Sequence, residues 1–274
     1  MSVTPLTPAR GEGAHPIHVV AWVAGVALAV DRRGAGAPVL LIHGGGEDAS
    51  MLARQAESLA AAGFEAITYD RRGTGRSGRA GWPVEAAAEQ HAADAAALIE
   101  ALGLHRPTVV GVSSGGVIAL KLAALRPDAV GAVLAWEPPA AGLLPGGDEV
   151  TAEIMAPVHE HLARRPGDFA GAQALLLTAI LGVPVAADDP AFAAARANAE
   201  PMVRDEPTIT RARFDADDLR GRPVTIAVGD RPNEVVAASA AALAGLTGAD
   251  PVRVEADHEV YLYDPSVLTR LLTS

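Results

Sequence analysis

Gly111-Val112-Ser113-Ser114-Gly115 sets a serine between two glycines, after the β-branched pair Val109-Val110 and before an Ala/Leu-rich segment. A serine hydroxyl becomes a usable nucleophile only when it stands clear of the backbone beside a base. A sharp turn from strand to helix provides that clearance, and the glycines let strand and helix pass closely. The first N–H groups of the helix then face the place where negative charge gathers during attack on a carbonyl. In a chain with 28 glycines the pentapeptide alone is a weak signal, and its flanks make this copy informative. Three further groups lie at the ends of expected strands: His43 with Gly44-Gly45-Gly46, Glu137 in Trp136-Glu137-Pro138-Pro139, and His258 after Asp257. Their chain order is serine, acid, histidine, which are the types needed for a nucleophile, an orienting carboxylate and a base.

The elements that must hold these groups follow from the hydropathy pattern. Residues 38–42 are a continuous apolar run, typical of a strand buried on both faces. A helix is expected over 51–62, capped by Asp48 or Ser50 and stopped by Gly63. A strand over 65–69, a loop from Asp70 to Ser77 and an Ala-rich helix from Pro83 to about Leu102 come next. A strand over 107–110 leads into the serine turn, a helix runs to about Leu125, and a strand spans 130–136. Between 140 and 218 only helical stretches are expected, at 149–164, 168–181 and 190–204. Strand character returns at 223–228, followed by a helix over 234–244, a short strand over 251–254 and a last helix over 265–272. Upstream, residues 18–23 and 26–32 read as a hairpin turning at Ala24-Gly25. Strands alternating with helices imply an α/β protein with a mostly parallel, doubly wound sheet. Residues 1–139 and 219–274 are expected to form the core. Residues 140–218 are expected as an inserted helical cap over the carboxyl ends of the strands, where such sheets bind ligands.

Composition narrows the function classes. The chain has 274 residues, 50% hydrophobic and 20% charged, a balance ordinary for a soluble globular protein. It contains no cysteine, which excludes disulfides, thiolate catalysis and zinc–cysteine sites. The formal net charge of −11 argues against nucleic acid and anionic membranes as partners. Lys121 is the sole lysine, so a Schiff base has only one position open to it, on the helix after the serine turn. Residues 1–14 lack the apolar core of a signal peptide, and the run over 19–30 is too short to span a bilayer. A cytoplasmic protein is the default expectation. Composition leaves the oligomeric state open, a homo-oligomer included.

With the serine turn, the glycine loop and the serine–acid–histidine order in place, the sequence resembles the α/β-hydrolase family over about Ile17 to the end. Asp70-Arg71-Arg72-Gly73-Thr74-Gly75-Arg76-Ser77 resembles that family's D-x-x-G-x-G-x-S loop. The resemblance implies Ser113 as nucleophile and His258 as base. It implies the backbone N–H of Ser114 as one oxyanion donor, and that of Gly44 or Gly45 as the second. The family often has glycine before the histidine. Asp257 stands there instead, either favouring the imidazolium or pointing to solvent.

The acid has two family locations. After the strand over 223–228 the usual spacing falls on Pro232, with Asp230 and Glu234 each two residues away. After the strand over 130–136 it falls on Glu137, held rigid by two prolines and preferred here. Asp230 is the main alternative. A Ser-Ser pair with Glu-x-Pro is similar to a narrower set of serine hydrolases, the zearalenone-type lactonases among them.

The resemblance implies hydrolysis of a carboxylic ester or lactone through an acyl-enzyme, with no metal or organic cofactor. The expected partner is a small hydrophobic ester or lactone, with Trp136, Met155, Leu176 and Met202 as candidate pocket walls or, equally, cap core. The same triad also serves C–C bond hydrolysis, perhydrolysis or lyase chemistry, and some family members are small-molecule receptors with little turnover. Ser113 argues against dehalogenase or epoxide-hydrolase chemistry, which uses an aspartate nucleophile. Gly73–Gly78 formally fits G-x-G-x-x-G but does not run straight into a helix, as a dinucleotide site requires. Asp70, Arg71, Arg72 and Arg76 are instead expected to brace the loops through hydrogen bonds. His159 and His161 fall two apart on a helix and so face different ways, against a metal site.

Overall fold

Aliphatic and β-branched runs, cut by glycine, proline and charged loops, leave nine segments extended, and these join one sheet. The computed structural model describes residues 2–5, 15–83 and 85–274. Its strands are β1 (Ser2–Pro5), β2 (Ile17–Val23), β3 (Val26–Gly34), β4 (Ala37–Ile42), β5 (Phe64–Tyr69), β6 (Thr108–Val112), β7 (Ala132–Trp136), β8 (Val224–Val228) and β9 (Val252–Arg253). The helices are α1 (Ala53–Ala61), α2 (Ala87–Ala101), α3 (Ser114–Leu125), α4 (Gly147–Arg164), α5 (Phe169–Leu181), α6 (Ala193–Arg196), α7 (Ala199–Thr210), α8 (Glu234–Thr247), α9 (Val260–Tyr263) and α10 (Val267–Thr273). The sheet order is β1-β2-β3-β5-β4-β6-β7-β8-β9. The first three strands are antiparallel, as is β3 with β5. From β5 through β4, β6, β7 and β8 to β9 every pairing is parallel.

Burial on both faces follows the two-residue period of the central strands. Leu40, Ile42, Val109 and Val133 pack with Ala95 and Leu98 of α2, Ile118 and Leu122 of α3 and Leu243 of α8. Val39, Leu41, Val110 and Leu134 face Leu59 of α1 and Leu268 of α10 on the other side. That two-sided cover is why these strands read as unbroken apolar runs. α3 is buried from Ser114 through Ala123, consistent with a helix that is apolar all round. The helices between β7 and β8 have a small core of their own, formed by Met155, Val158, Ala172, Leu176, Met202 and Val203. Among the described residues no helix is long and apolar enough to cross a membrane.

Several boundaries differ from expectation. A 3-10 turn over Ala49–Leu52, capped by Asp48 through its bond from the Ser50 N–H (2.9 Å), precedes α1. The single helix expected over 190–204 is a 3-10 turn, then α6, then α7 running on to Thr210. The break falls at Asn198, whose buried side chain is turned to the core instead. Its Oδ1 accepts from the Gly75 N–H (2.9 Å) and its Nδ2 donates to Asp48 Oδ2 (3.2 Å). β1 and the short α9 lie where no element was expected.

Candidate active site

Parallel strands β4, β6, β7 and β8 end side by side, so the loops after them converge. Gly111 and Gly115 set the turn at Ser113: a Cβ on Gly115 would run into the carbonyls of Ile42 and His43, and one on Gly111 into that of Gly115. Only glycines let the start of α3 settle onto the ends of β4 and β6. The turn forces Ser113 to φ 51°, ψ −126°, a conformation that L-residues rarely adopt. Its N–H donates to the Trp136 carbonyl (2.8 Å), and the residue is partly exposed.

Glu137 also has a positive φ, 44°, immediately after β7. Its carboxylate is sealed, with 2% of the side chain exposed, against 32% for His258. His258 Nδ1 lies 2.6 Å from Glu137 Oε2, and the Gly229 N–H donates to Oε1 at 2.7 Å. The loop after β8, the other expected location of the acid, thus supplies a backbone donor to Glu137. Asp230 is 45% exposed and 3.8 Å from Arg231, and Glu234 is exposed at the start of α8. Neither is brought to His258. Asp257 points to solvent, where its Oδ1 accepts from the Glu259 N–H (3.1 Å). Burial opposes a charge on His258. The bond to Glu137 and the carboxylates of Glu259 and Glu47 outweigh it and hold the pKa above the usual 6.5.

The glycine loop after β4 is pinned by buried polar groups. Glu47 Oε2 accepts from the Gly44 N–H (2.7 Å), and Glu47 Oε1 accepts from the Tyr261 hydroxyl (2.7 Å). The Gly44 N–H is therefore committed, and of the two glycines expected as oxyanion donors only Gly45 has its N–H uncommitted among the described residues. The same holds for the Ser114 N–H at the start of α3. Burial raises the Glu47 carboxyl to about 7 despite both bonds, and the Tyr261 hydroxyl is pushed well above its ordinary value by burial and by Glu47. Sequence reasoning missed Glu47 and Tyr261. A carboxylate three residues after a glycine loop reads equally well as a helix-capping group.

The other expected residues sort clearly. Trp136 is fully buried, and its Nε1–H donates to the His258 carbonyl (2.9 Å). It is a strut between the serine turn and the histidine loop, not the pocket wall that was expected. Met155 and Leu176 sit in the core of the α4–α7 helices. Met155 also lines a cavity of about 620 Å³ with Thr151, His159, Phe169 and Arg211, away from Ser113. Met202 shares that core but reaches Gly46, where its Sδ would touch an added Cβ at 3.1 Å. Lys121 is spent elsewhere, on the Arg213 carbonyl (2.6 Å) and Glu89 (3.2 Å). His161 binds Asp168 (2.9 Å), tying α4 to the start of α5.

The loop after β5 braces its neighbours. Asp70 accepts from the N–H groups of Ala49 (2.9 Å) and Arg76 (2.7 Å), and Arg72 grips both oxygens of Asp94 (2.8 and 2.7 Å). Residues 37–164 match the family model described as the alpha/beta hydrolase fold. The chain has the α/β-hydrolase fold. An alpha/beta hydrolase from Sphaerobacter thermophilus is similar to this chain with a TM-score of 0.72 and 26% identity, over 92% of this chain and 98% of that one. A thermophilic esterase from Thermogutta terrifontis is similar with a TM-score of 0.68 and 25% identity, over 93% and 96%. The uncharacterized hydrolase YraK of Bacillus subtilis is 38% identical over 121 residues. That match spans 44% of this chain and 44% of the relative, so under half the relative's length is covered.

Proposed function

We propose that the protein is a serine hydrolase of carboxylic esters or lactones, with Ser113 as nucleophile, His258 as base and Glu137 as the orienting acid. The observation that carries this is the sealed Glu137–His258 bond at 2.6 Å, made at the same end of the sheet as a serine at φ 51°. Glu137 takes the Nδ1 side of the ring, which leaves Nε2 to remove the Ser113 proton. Oγ then attacks the carbonyl carbon, and the oxyanion rests on the N–H groups of Gly45 and Ser114. The imidazolium returns its proton to the leaving alcohol, which for a lactone stays tethered to the acyl group. Water, activated by His258, releases the acid and restores the serine. Every step is a proton transfer or acyl transfer, so the reading calls for no metal or organic cofactor. The α4–α7 helices act as the cap, with Met202 as the member of the expected pocket set nearest the glycine loop. The likeness to a thermophilic esterase at 25% identity supports ester chemistry, and the serine argues against an aspartate-nucleophile reaction.

The test is a panel of aryl esters, small lactones, macrolides and amides, scored by kcat/KM with the wild type, Ser113→Ala, Glu137→Gln and Asp230→Asn. Ser113→Ala is expected to fall to background, by up to about 10⁶-fold in kcat. Glu137→Gln is expected to lose about 10⁴-fold and Asp230→Asn almost nothing. Full turnover in Ser113→Ala overturns the nucleophile. A large loss in Asp230→Asn alone overturns the acid. Tight stoichiometric binding without turnover in the wild type would make the protein a receptor instead.

A further inference from the structure

Arg71 and Arg72 are neighbours with opposite circumstances. Arg72 is fully employed: it forks onto Asp94 and donates to the carbonyls of Ala80 and Ala24. Arg71 is as deeply buried, yet its Nε and Nη1 have no protein acceptor. A buried guanidinium left half satisfied is costly, so packing alone is a poor reason for it. All of its side-chain bonds come from Nη2, to the Gly44 carbonyl (3.0 Å) and to Glu206 Oε1 on α7 (3.1 Å).

The Gly44 carbonyl belongs to the same peptide unit as the Gly45 N–H, the proposed oxyanion donor. In a trans peptide those two groups point in opposite directions, so fixing one aims the other. The carbonyl is held from two sides, because His43 Nδ1 is also 2.9 Å from it. A carbonyl can only accept, so Nδ1 carries the proton, and His43 Nε2 then accepts from the Arg71 N–H at 3.2 Å. Glu206 comes within reach of the same unit: a Cβ on Gly45 would meet its carboxyl carbon at 2.7 Å. Unopposed, that carboxylate would repel an oxyanion at Gly45, and Arg71, bonded to Glu206 Oε1, is its counter-charge.

We propose that Arg71 is a positioning residue that aims the Gly45 N–H at the oxyanion and screens it from Glu206, so that α7 is coupled to the hydrolytic step. The inference rests on the serine-hydrolase reading above. Its signature is a loss confined to the transition state. Arg71→Met is expected to lower kcat about 10–100-fold with KM within about threefold, less than deletion of a whole oxyanion donor. The affinity of a trifluoromethyl ketone that adds to Ser113 should fall in parallel, since its hemiketal oxygen occupies the same position. Arg71→Lys, which restores a cation and one donor, should recover most of the loss, and Glu206→Ala, which frees the guanidinium, should lower kcat by less than Arg71→Met.

Lowered thermal stability with unchanged kcat and ketone affinity in Arg71→Met would overturn the proposal, as would a change confined to KM. If Arg71→Met does not fold, Arg71→Gln, which also removes the cation, carries the same readouts. Turnover surviving in Ser113→Ala would sink the hydrolase reading itself. Loss in Ser113→Ala with kcat intact in Arg71→Met would sink only this inference.

Discussion

Two buried carboxylates lie near His258. Glu137 is held by His258 and the Gly229 N–H; Glu47 also has two donors, and its pKa rises to about 7 because burial outweighs both bonds. A native carboxyl that holds its proton above the ordinary 4.5 makes the folded state bind more protons than the unfolded chain. Stability therefore falls as pH rises from 4.5 to about 7 and levels off beyond. Glu47→Gln removes that slope, so its stability relative to wild type should grow across this window by up to about 3 kcal/mol, at 1.36 kcal/mol per unit. Urea unfolding at pH 5 and pH 8 measures it, and an equal difference at both pH values would contradict it. On the hydrolase reading proposed above, the group to follow is His258, which must be neutral to accept the serine proton. Its raised pKa places the acid limb of kcat/KM above pH 6.5, and Glu259 is one of the charges raising it. Glu259→Gln should move that limb down towards 6.5 with kcat at high pH retained, whereas an unmoved limb would mean that Glu259 has no electrostatic hold on the base.

At the scale of elements, close approach fixes the site more than hydrogen bonding does. Gly115 seats α3 against the carbonyls of Ile42 and His43, backbone atoms that cannot swing aside. Gly115→Ala should destabilise the protein by about 3 kcal/mol and lower activity with it, read by chemical denaturation and kcat together. An alanine variant of wild-type stability would show that α3 has room to slide. These glycines, the strand ends and the serine–acid–histidine order were all legible in the sequence, because each leaves a mark in residue type and spacing. Glu137 could be preferred over Asp230 for a similar reason: a carboxylate between a strand end and two prolines has few ways to point. Trp136 was misjudged because an indole at a strand end suits a pocket wall as well as a strut, and only its bond to the His258 carbonyl decides. Glu47 and the hold of Arg71 on Gly44 left no mark at all, since both depend on groups brought together from separate loops. The break before α7 at Asn198 was equally hidden. Asparagine is tolerated at helix ends and in helices, and its partners Gly75 and Asp48 lie more than a hundred residues away in the chain.

For the whole molecule, α7 is the element through which the helices between β7 and β8 hold on to the rest. Asp205 accepts from Trp82 Nε1 (3.0 Å) and faces His91 Nε2 (3.1 Å), Glu206 binds Arg71, and Asn198 binds the loops at Asp48 and Gly75. These contacts are polar and largely buried, so each has a required geometry and a cost when broken. Asn198→Ala should cost about 1–3 kcal/mol and accelerate amide hydrogen exchange in α6 and α7 while β4 and β6 stay protected. Uniform acceleration across the sheet would mean that the helices and the core open as one unit. An apolar seam would tolerate sliding and accept many partners of similar shape, whereas a seam of directed polar bonds admits one docked position. This bears on recombination between relatives. A graft of residues 140–218 alone would separate Asn198, Asp205 and Glu206 from the partners that hold them here. The transplantable module is those helices together with positions 48, 71, 75, 82 and 91, which lie well upstream in the chain and would have to travel with them.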